Sequence, residues 1–119
     1  MKIQVNNFTY RNKKEVLKPM IIYGLKNCDR CRAFLKAYPD FKLIDVSITP
    51  VPENILEKAI ENFGEALINK RSLTWRKLDI ETRQKQAHEI IRLQPKVMKR
   101  PLVELKSGDL FLGFKASKG

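Results

Sequence analysis

Two cysteines occur in this chain of 119 residues, and both fall in one tetrapeptide, Cys28-Asp29-Arg30-Cys31, directly after the apolar run Met20-Ile21-Ile22-Tyr23. A C-x-x-C pair on a strand-to-helix junction points to thiol redox chemistry. A structural zinc site needs four ligands, and the sequence holds no third cysteine and a single histidine, His88, so no metal is expected. A permanent disulfide fits poorly with a chain that shows no secretory signal pattern and no apolar run of the ~18 residues needed to span a membrane. The expectation is therefore a cytoplasmic protein, where such a pair is transient, catalytic or sensing. The competing reading is two inert buried thiols. Thiolate pKa and exposure separate the two.

The pair needs elements to hold it, and the punctuation supplies them. Met20 to Tyr23 reads as a short buried strand and Gly24 to Asn27 as a loop. Asp29 to Tyr38 reads as a helix with Cys31, Phe34, Leu35 and Tyr38 on one face, ended by Pro39. Phe41 to Val46 is the next strand. After Pro50 and Pro52, Ile55, Leu56, Ala59, Ile60 and Phe63 recur at helical spacing, and Gly64 stands where a helix end favours a left-handed residue. Glu65 to Asn69 suits a short turn. Ile80 to Leu93 reads as one longer helix, opened by Asp79 as N-cap and closed by Pro95. Leu102 to Leu105 and Leu110 to Phe114, joined by Lys106-Ser107-Gly108-Asp109, form a hairpin entered through Pro101.

At 43% hydrophobic residues the chain can bury one core, and it shows no internal repeat. Its net charge is +11. The excess is uneven: residues 20–64 are balanced, whereas residues 65–100 carry ten bases and four acids. Spread lysines ordinarily make a solvated face; here they also leave room for acidic or polyanionic partners. No nucleic-acid reader motif accompanies them, so direct nucleic-acid binding is a minor expectation.

Three motifs then carry a resemblance: Tyr23-Gly24-Leu25-Lys26-Asn27-Cys28; Ala66-Leu67-Ile68-Asn69-Lys70-Arg71 with Thr74-Trp75-Arg76-Lys77-Leu78; and Lys99-Arg100-Pro101-Leu102-Val103 with Leu112-Gly113-Phe114. In this order they resemble the arsenate reductase (ArsC) / Spx / YffB family over roughly residues 20–116. The resemblance implies an α/β fold: a thioredoxin-like mixed sheet, β-α-β then β-β, with an inserted helical subdomain at about residues 52–95. It implies that Cys28 is the nucleophile at a helix N-terminus, where unpaired N–H groups favour a thiolate. Lys26, Arg30 and Arg32 would add positive charge there, with Asp29 opposing them. Cys31 would be the resolving thiol, as in Spx.

The resemblance further implies an anion or substrate site. Arg71 and Arg100 match two of three oxyanion-holding arginines, with Asn27 beside Cys28 and Pro101 as the cis-proline facing the nucleophile. The third arginine would fall within Gly113-Phe114-Lys115, where only Lys115 offers a charge, a less directional substitute, so the resemblance leaves arsenate specificity open. Trp75 reads as a core-edge aromatic and His88 as a solvated or capping histidine.

The implied activity is a thiol-disulfide reductase with no bound cofactor, reduced by glutathione or by thioredoxin or glutaredoxin. The alternative is an Spx-like redox regulator whose basic insertion docks on the RNA polymerase alpha subunit. The family usually begins near Met20 and continues past Gly119 into a C-terminal helix. Residues 1–19 are therefore expected to be a basic extension, with Ile3, Val5, Phe8 and Tyr10 as a candidate edge strand.

Overall fold

The computed structural model describes residues 20–113. The proposed edge strand in residues 1–19, Phe114 and Lys115 lie outside the described residues. The chain divides into two compact units, the first containing residues 20–44 and 100–113 and the second spanning Asp45–Lys99.

The first unit is a four-stranded mixed sheet with one helix. Its strands are β1 (Ile21–Gly24), β2 (Lys42–Asp45), β3 (Leu102–Glu104) and β4 (Leu110–Leu112), in the spatial order β2-β1-β3-β4. Helix α1 (Asp29–Ala37) links β1 to β2. The Lys42 N–H donates to the Met20 carbonyl at 2.8 Å, where the returning chain meets the start of β1. β3 runs antiparallel to β1, with Ile22 opposite Val103 and Tyr23 opposite Leu102, and β4 antiparallel to β3, with Phe111 opposite Val103.

Alternation along these strands decides what each face buries. Ile22, Val103, Leu105 and Phe111 join Met20, Cys31, Phe34, Tyr38 and Phe41 in one core cluster, so the apolar stripe of α1 is spent on that sheet face. Phe34 lies at its centre, stacked edge-on to Phe41 with centroids 4.9 Å apart and tilted to Tyr38 at 5.3 Å. Full burial of such a ring is worth about 2–3 kcal/mol. The β3–β4 hairpin closes as the Lys106-Ser107-Gly108-Asp109 turn predicts, with Leu105 N–H on the Asp109 carbonyl at 2.9 Å and Gly108 at φ 93°.

The second unit is helical. α2 (Glu53–Phe63) buries Ile55, Leu56 and Ala59 and ends at Gly64, whose φ of 55° and ψ of −132° favour glycine. A 3-10 turn at Gly64–Leu67 leads to Ile68, which pairs with Met98; the Asn69 N–H donates to the Val97 carbonyl and the Lys99 N–H to the Leu67 carbonyl, both at 2.8 Å. A further 3-10 turn, Pro95–Val97, precedes that pairing.

One sequence expectation needs correction here. The helix expected over Ile80 to Leu93 is two helices, α4 (Ile80–Arg83) and α5 (Ala87–Leu93). Asp79 caps the first as expected, its carboxylate accepting from the Thr82 N–H at 2.7 Å. The stretch Glu81 to Gln86 offers no large apolar side chain to hold a continuous stripe on the core, and Ile80 itself is 71% exposed. Packing therefore begins again only with Ile90 and Ile91, both buried. A short helix not anticipated, α3 (Leu73–Arg76), is capped by Ser72, whose hydroxyl accepts from the Trp75 N–H at 3.1 Å.

Candidate active site

The end of β1, the loop after it and the first turn of α1 set the two thiols. The Cys28 N–H donates to the Leu25 carbonyl at 3.2 Å, closing a tight turn, and Arg32 reaches back from α1 to donate its Nε to the Lys26 carbonyl at 3.2 Å. Asn27 is exposed at the tip of this loop. Cys28 is the N-cap of α1, with extended backbone at φ −89° and ψ 123°. Both cysteines are free thiols; Cys28 is half-buried and Cys31 is fully buried in the core cluster.

Gly24 makes the burial of Cys31 possible. A Cβ built on Gly24 would stand 2.3 Å from Cys31 Sγ, so the second sulfur occupies space that any other residue at the end of β1 would fill.

Opposing influences act on Cys28. Partial burial raises its pKa, but the Cys31 amide and thiol, the Arg100 guanidinium and the Arg30 amide lower it, and the lowering effects prevail. A neutral thiol is a weak acceptor, and Cys28 makes no side-chain capping hydrogen bond of the kind Ser or Asp would make. As a thiolate its larger charge draws on those same N–H groups. Cys31 moves the other way: burial pushes it up to about 12, offset in part by the Leu25 amide, while the hydrogen bond to Cys28 and that neighbour's charge add to the rise and Arg100 lowers it slightly. The pair is thus split into one favoured anion and one retained thiol.

The cationic side chain that favours the Cys28 thiolate is Arg100. The nearby cations expected from sequence, Lys26, Arg30 and Arg32, have exposed side chains; Arg30 contributes its amide and Arg32 braces the loop. Arg100 is carried to the site on the segment entering β3, and the Arg100–Pro101 peptide bond is cis, with Pro101 buried. The Gly113 N–H donates to the Pro101 carbonyl at 2.8 Å, tying this segment to the end of β4. Cys28, Cys31, Arg100 and Pro101 thus all belong to the first unit.

Arg71 belongs to the second unit, exposed in the turn before α3, where its N–H donates to Asn69 Oδ1 at 3.0 Å. Trp75 is partly exposed, with Lys70 Nζ 5.7 Å and the Arg83 guanidinium 5.8 Å from its ring. His88 pairs with Glu53, which also receives Arg92 Nη2 at 2.6 Å; the other Arg92 nitrogen donates to the Val51 carbonyl at 2.7 Å. Sequence reasoning placed Tyr23 in the first strand and Gly24 in the following loop but missed the contacts they make, Gly24 with Cys31 and Tyr23 with Glu104. The Tyr23 hydroxyl crosses from β1 to Glu104 Oε1 on β3 at 2.8 Å, and only the strand register reveals that pairing. Among the described residues no cluster of three metal-ligating side chains is present, and no helix is long and apolar enough to cross a membrane.

Comparison with known proteins agrees with this fold. A YffB protein of known structure is 28% identical, with a TM-score of 0.67 over 81% of this chain and 91% of its own. An arsenate reductase (ArsC) related protein of Brucella melitensis is 31% identical, with a TM-score of 0.61 over 82% of this chain and 88% of its own. A possible arsenate reductase of Streptococcus mutans, 23% identical with a TM-score of 0.60 over 82% and 92%, shares the fold. In sequence, an uncharacterized protein of Haemophilus influenzae is 35% identical over 78% of this chain and 89% of its own length. The ArsC family pattern matches residues 23–118, from the last turn of β1 through both cysteines and past the cis-proline, and the chain belongs to the ArsC family.

Proposed function

We propose that this protein is a thiol-disulfide reductase with Cys28 as its nucleophile. The observation that carries the reading is the split of the pair, with Cys28 held below the ordinary thiol range by Arg100 and the start of α1 while it remains accessible from solvent. In the first step the Cys28 thiolate attacks one sulfur of a disulfide or glutathione adduct. The new Cys28–sulfur bond forms as the substrate S–S bond breaks, and the departing thiolate takes a proton from water. In the second step a thiol of glutathione, a thioredoxin or a glutaredoxin attacks the substrate sulfur of the mixed disulfide, forming a new disulfide and returning the electron pair to Cys28; where Cys31 resolves instead, it attacks the Cys28 sulfur, expels the substrate thiolate and leaves a Cys28–Cys31 disulfide that such an external thiol reduces.

Arg100 beside the nucleophile, with Asn27 next to Cys28 and Pro101 next to Arg100 in the chain, suits an anionic substrate group such as a carboxylate or an oxyanion. Likeness to arsenate-reductase-related proteins makes arsenate a candidate substrate, and without the third arginine a disulfide is the better one. A reducing compartment such as the cytoplasm fits two free thiols.

The test is turnover of a glutathionylated peptide and of arsenate, side by side, with glutathione recycled by its reductase. Peptide reduction that is lost in Cys28→Ser supports the reading. Turnover that survives Cys28→Ser, or none in the native protein with glutathione or thioredoxin, overturns it.

A further inference from the structure

Residues 69–89 of the second unit form a stretch in which no residue is buried, and α3 and α4 both lie within it. Helices this short ordinarily gain their stability by packing an apolar face on a core. Here local bonds take that part. Ser72 and Asp79 cap the two helices, Asn69 Oδ1 accepts from the Arg71 N–H, and the Arg83 guanidinium donates to the Arg76 carbonyl at 2.7 Å. The apolar side chains are left outside: Leu73 is 63% and Ile80 71% exposed, and Trp75, the single tryptophan of the chain, is partly exposed between them in sequence.

Cations accompany these apolar groups. Lys70 to Lys85 holds six bases against two acids, and among the described residues none of the six makes a salt bridge. Of the two acids, Asp79 is committed to the α4 cap. Lys70 Nζ and the Arg83 guanidinium stand 5.7 and 5.8 Å from the Trp75 ring, so aromatic and charge share one place.

We infer that α3, α4 and the turn between them form a docking surface for an anionic lipid bilayer, with Leu73, Trp75 and Ile80 entering the headgroup layer and the neighbouring Lys and Arg side chains meeting lipid phosphates. This surface uses neither thiol. Leu73 and Ile80 protrude as single side chains; a protein partner would need a formed pocket for each, whereas a fluid interface closes around whatever protrudes. Aliphatic side chains add little to a nucleic-acid strand, whose bases stack on aromatic rings and whose phosphates need the cations alone. Tryptophan settles at headgroup level, and long Lys and Arg stems keep their carbons in the apolar zone while the charges reach the phosphates. Each cation near an anionic bilayer strengthens binding about fivefold.

The test uses the native full chain with vesicles of equal parts phosphatidylcholine and phosphatidylglycerol, and with vesicles of phosphatidylcholine alone. Cosedimentation measures partition, and the emission of Trp75 reports insertion. The expected result is binding to the anionic vesicles only, weaker as salt rises, with Trp75 emission moved to shorter wavelength. Arg76→Gln/Lys77→Gln, two exposed side chains apart from the thiols, should weaken partition about 25-fold. Leu73→Ser/Ile80→Ser should weaken it at least about tenfold. Circular dichroism checks that each variant keeps its fold.

No binding to the anionic vesicles overturns the inference. Binding that neither variant weakens belongs to another basic part of the chain and overturns it as well. Weakening by the charge variant alone, with Trp75 emission unmoved, would show adsorption of polyanions without insertion, which again overturns it. Tighter binding of a single-stranded oligonucleotide, or of an acidic amphipathic peptide, lost in the same variants, would reassign the surface to that partner.

Discussion

Gly24 and Cys31 are in direct contact across the β1–α1 turn: a Cβ on the glycine would lie 2.3 Å from Cys31 Sγ and 3.4 Å from its Cβ. Gly24 is not free to gain a side chain while Cys31 keeps its sulfur. Gly24→Ala should destabilise the protein by about 1–3 kcal/mol, the usual cost of overpacking a closed core, as read from urea unfolding. Because the clash is with one sulfur, the double variant Gly24→Ala/Cys31→Ala should be more stable than the sum of the single effects predicts. Strict additivity would show that the contact is relieved elsewhere.

Arg100 supplies the side-chain cation at Cys28, so Arg100→Gln should shift the inflection of Cys28 alkylation to higher pH by about 1. The direction follows from the charge. A guanidinium favours the thiolate, and its loss removes one of the influences that offset burial, leaving the Cys31 amide and thiol and the Arg30 amide to oppose it. A profile unmoved by this change would assign the lowering to the Cys31 and Arg30 groups of α1 alone.

Cys31 gives stability a distinct alkaline limit. Its pKa is raised in the folded protein to about 12, against about 8.5 for an unfolded cysteine. The folded state therefore binds this proton more tightly, its contribution is complete below about pH 8.5, and it is lost as pH rises towards 12. Midpoints of urea unfolding should fall over that window in the native protein and fall less in Cys31→Ala. Equal slopes would sink the assignment.

The Tyr23–Glu104 hydrogen bond at 2.8 Å ties β1 to β3 beside the register pair Tyr23 and Leu102. Burial and the Glu104 carboxylate both raise the phenol pKa, so the hydroxyl keeps its proton and acts as donor throughout the neutral range. Tyr23→Phe should cost about 1–3 kcal/mol, as for a hydrogen bond to a charged group, with the Cys28 alkylation profile unchanged. Thermal unfolding and that profile together separate a frame residue from a site residue.

Gly64 ends α2 at φ 55°, and nothing lies within 4 Å of the place a Cβ would take. The cost of Gly64→Ala is thus one of backbone conformation, about 1 kcal/mol, and should appear as lower thermal stability of a protein with native Cys28 reactivity. A neutral substitution would mean that the turn relaxes to a conformation alanine adopts.

Much of the frame could be read directly. The apolar runs of β1, α1 and the hairpin carry their own period and are bounded by Gly, Pro and the Lys106-Ser107-Gly108-Asp109 turn, so local preference and burial agree. The continuous helix expected over Ile80 to Leu93 failed because Asp79 and Pro95 mark its outer ends, while nothing in the polar Glu81–Gln86 stretch announces where packing stops. α3 escaped notice for a related reason: four residues carry too little period to see, and only the Ser72 cap signals its start.

For the site, the order Cys28-Asp29-Arg30-Cys31 after an apolar strand determined that two thiols share the first turn of a helix, since 3.6 residues per turn set positions three apart on one side. It also determined that the chain carries Arg100 and Pro101 next to each other. The place of Cys28 at the helix start and the family resemblance already favoured it as the thiolate; what only the tertiary structure decided is how far the surroundings of the two sulfurs differ. Burial of Cys31 under Gly24 and the arrival of Arg100 at Cys28 are set by contacts between distant segments, and pKa follows local solvent and charge rather than residue type. Two chemically identical side chains thereby acquire opposite pKa shifts.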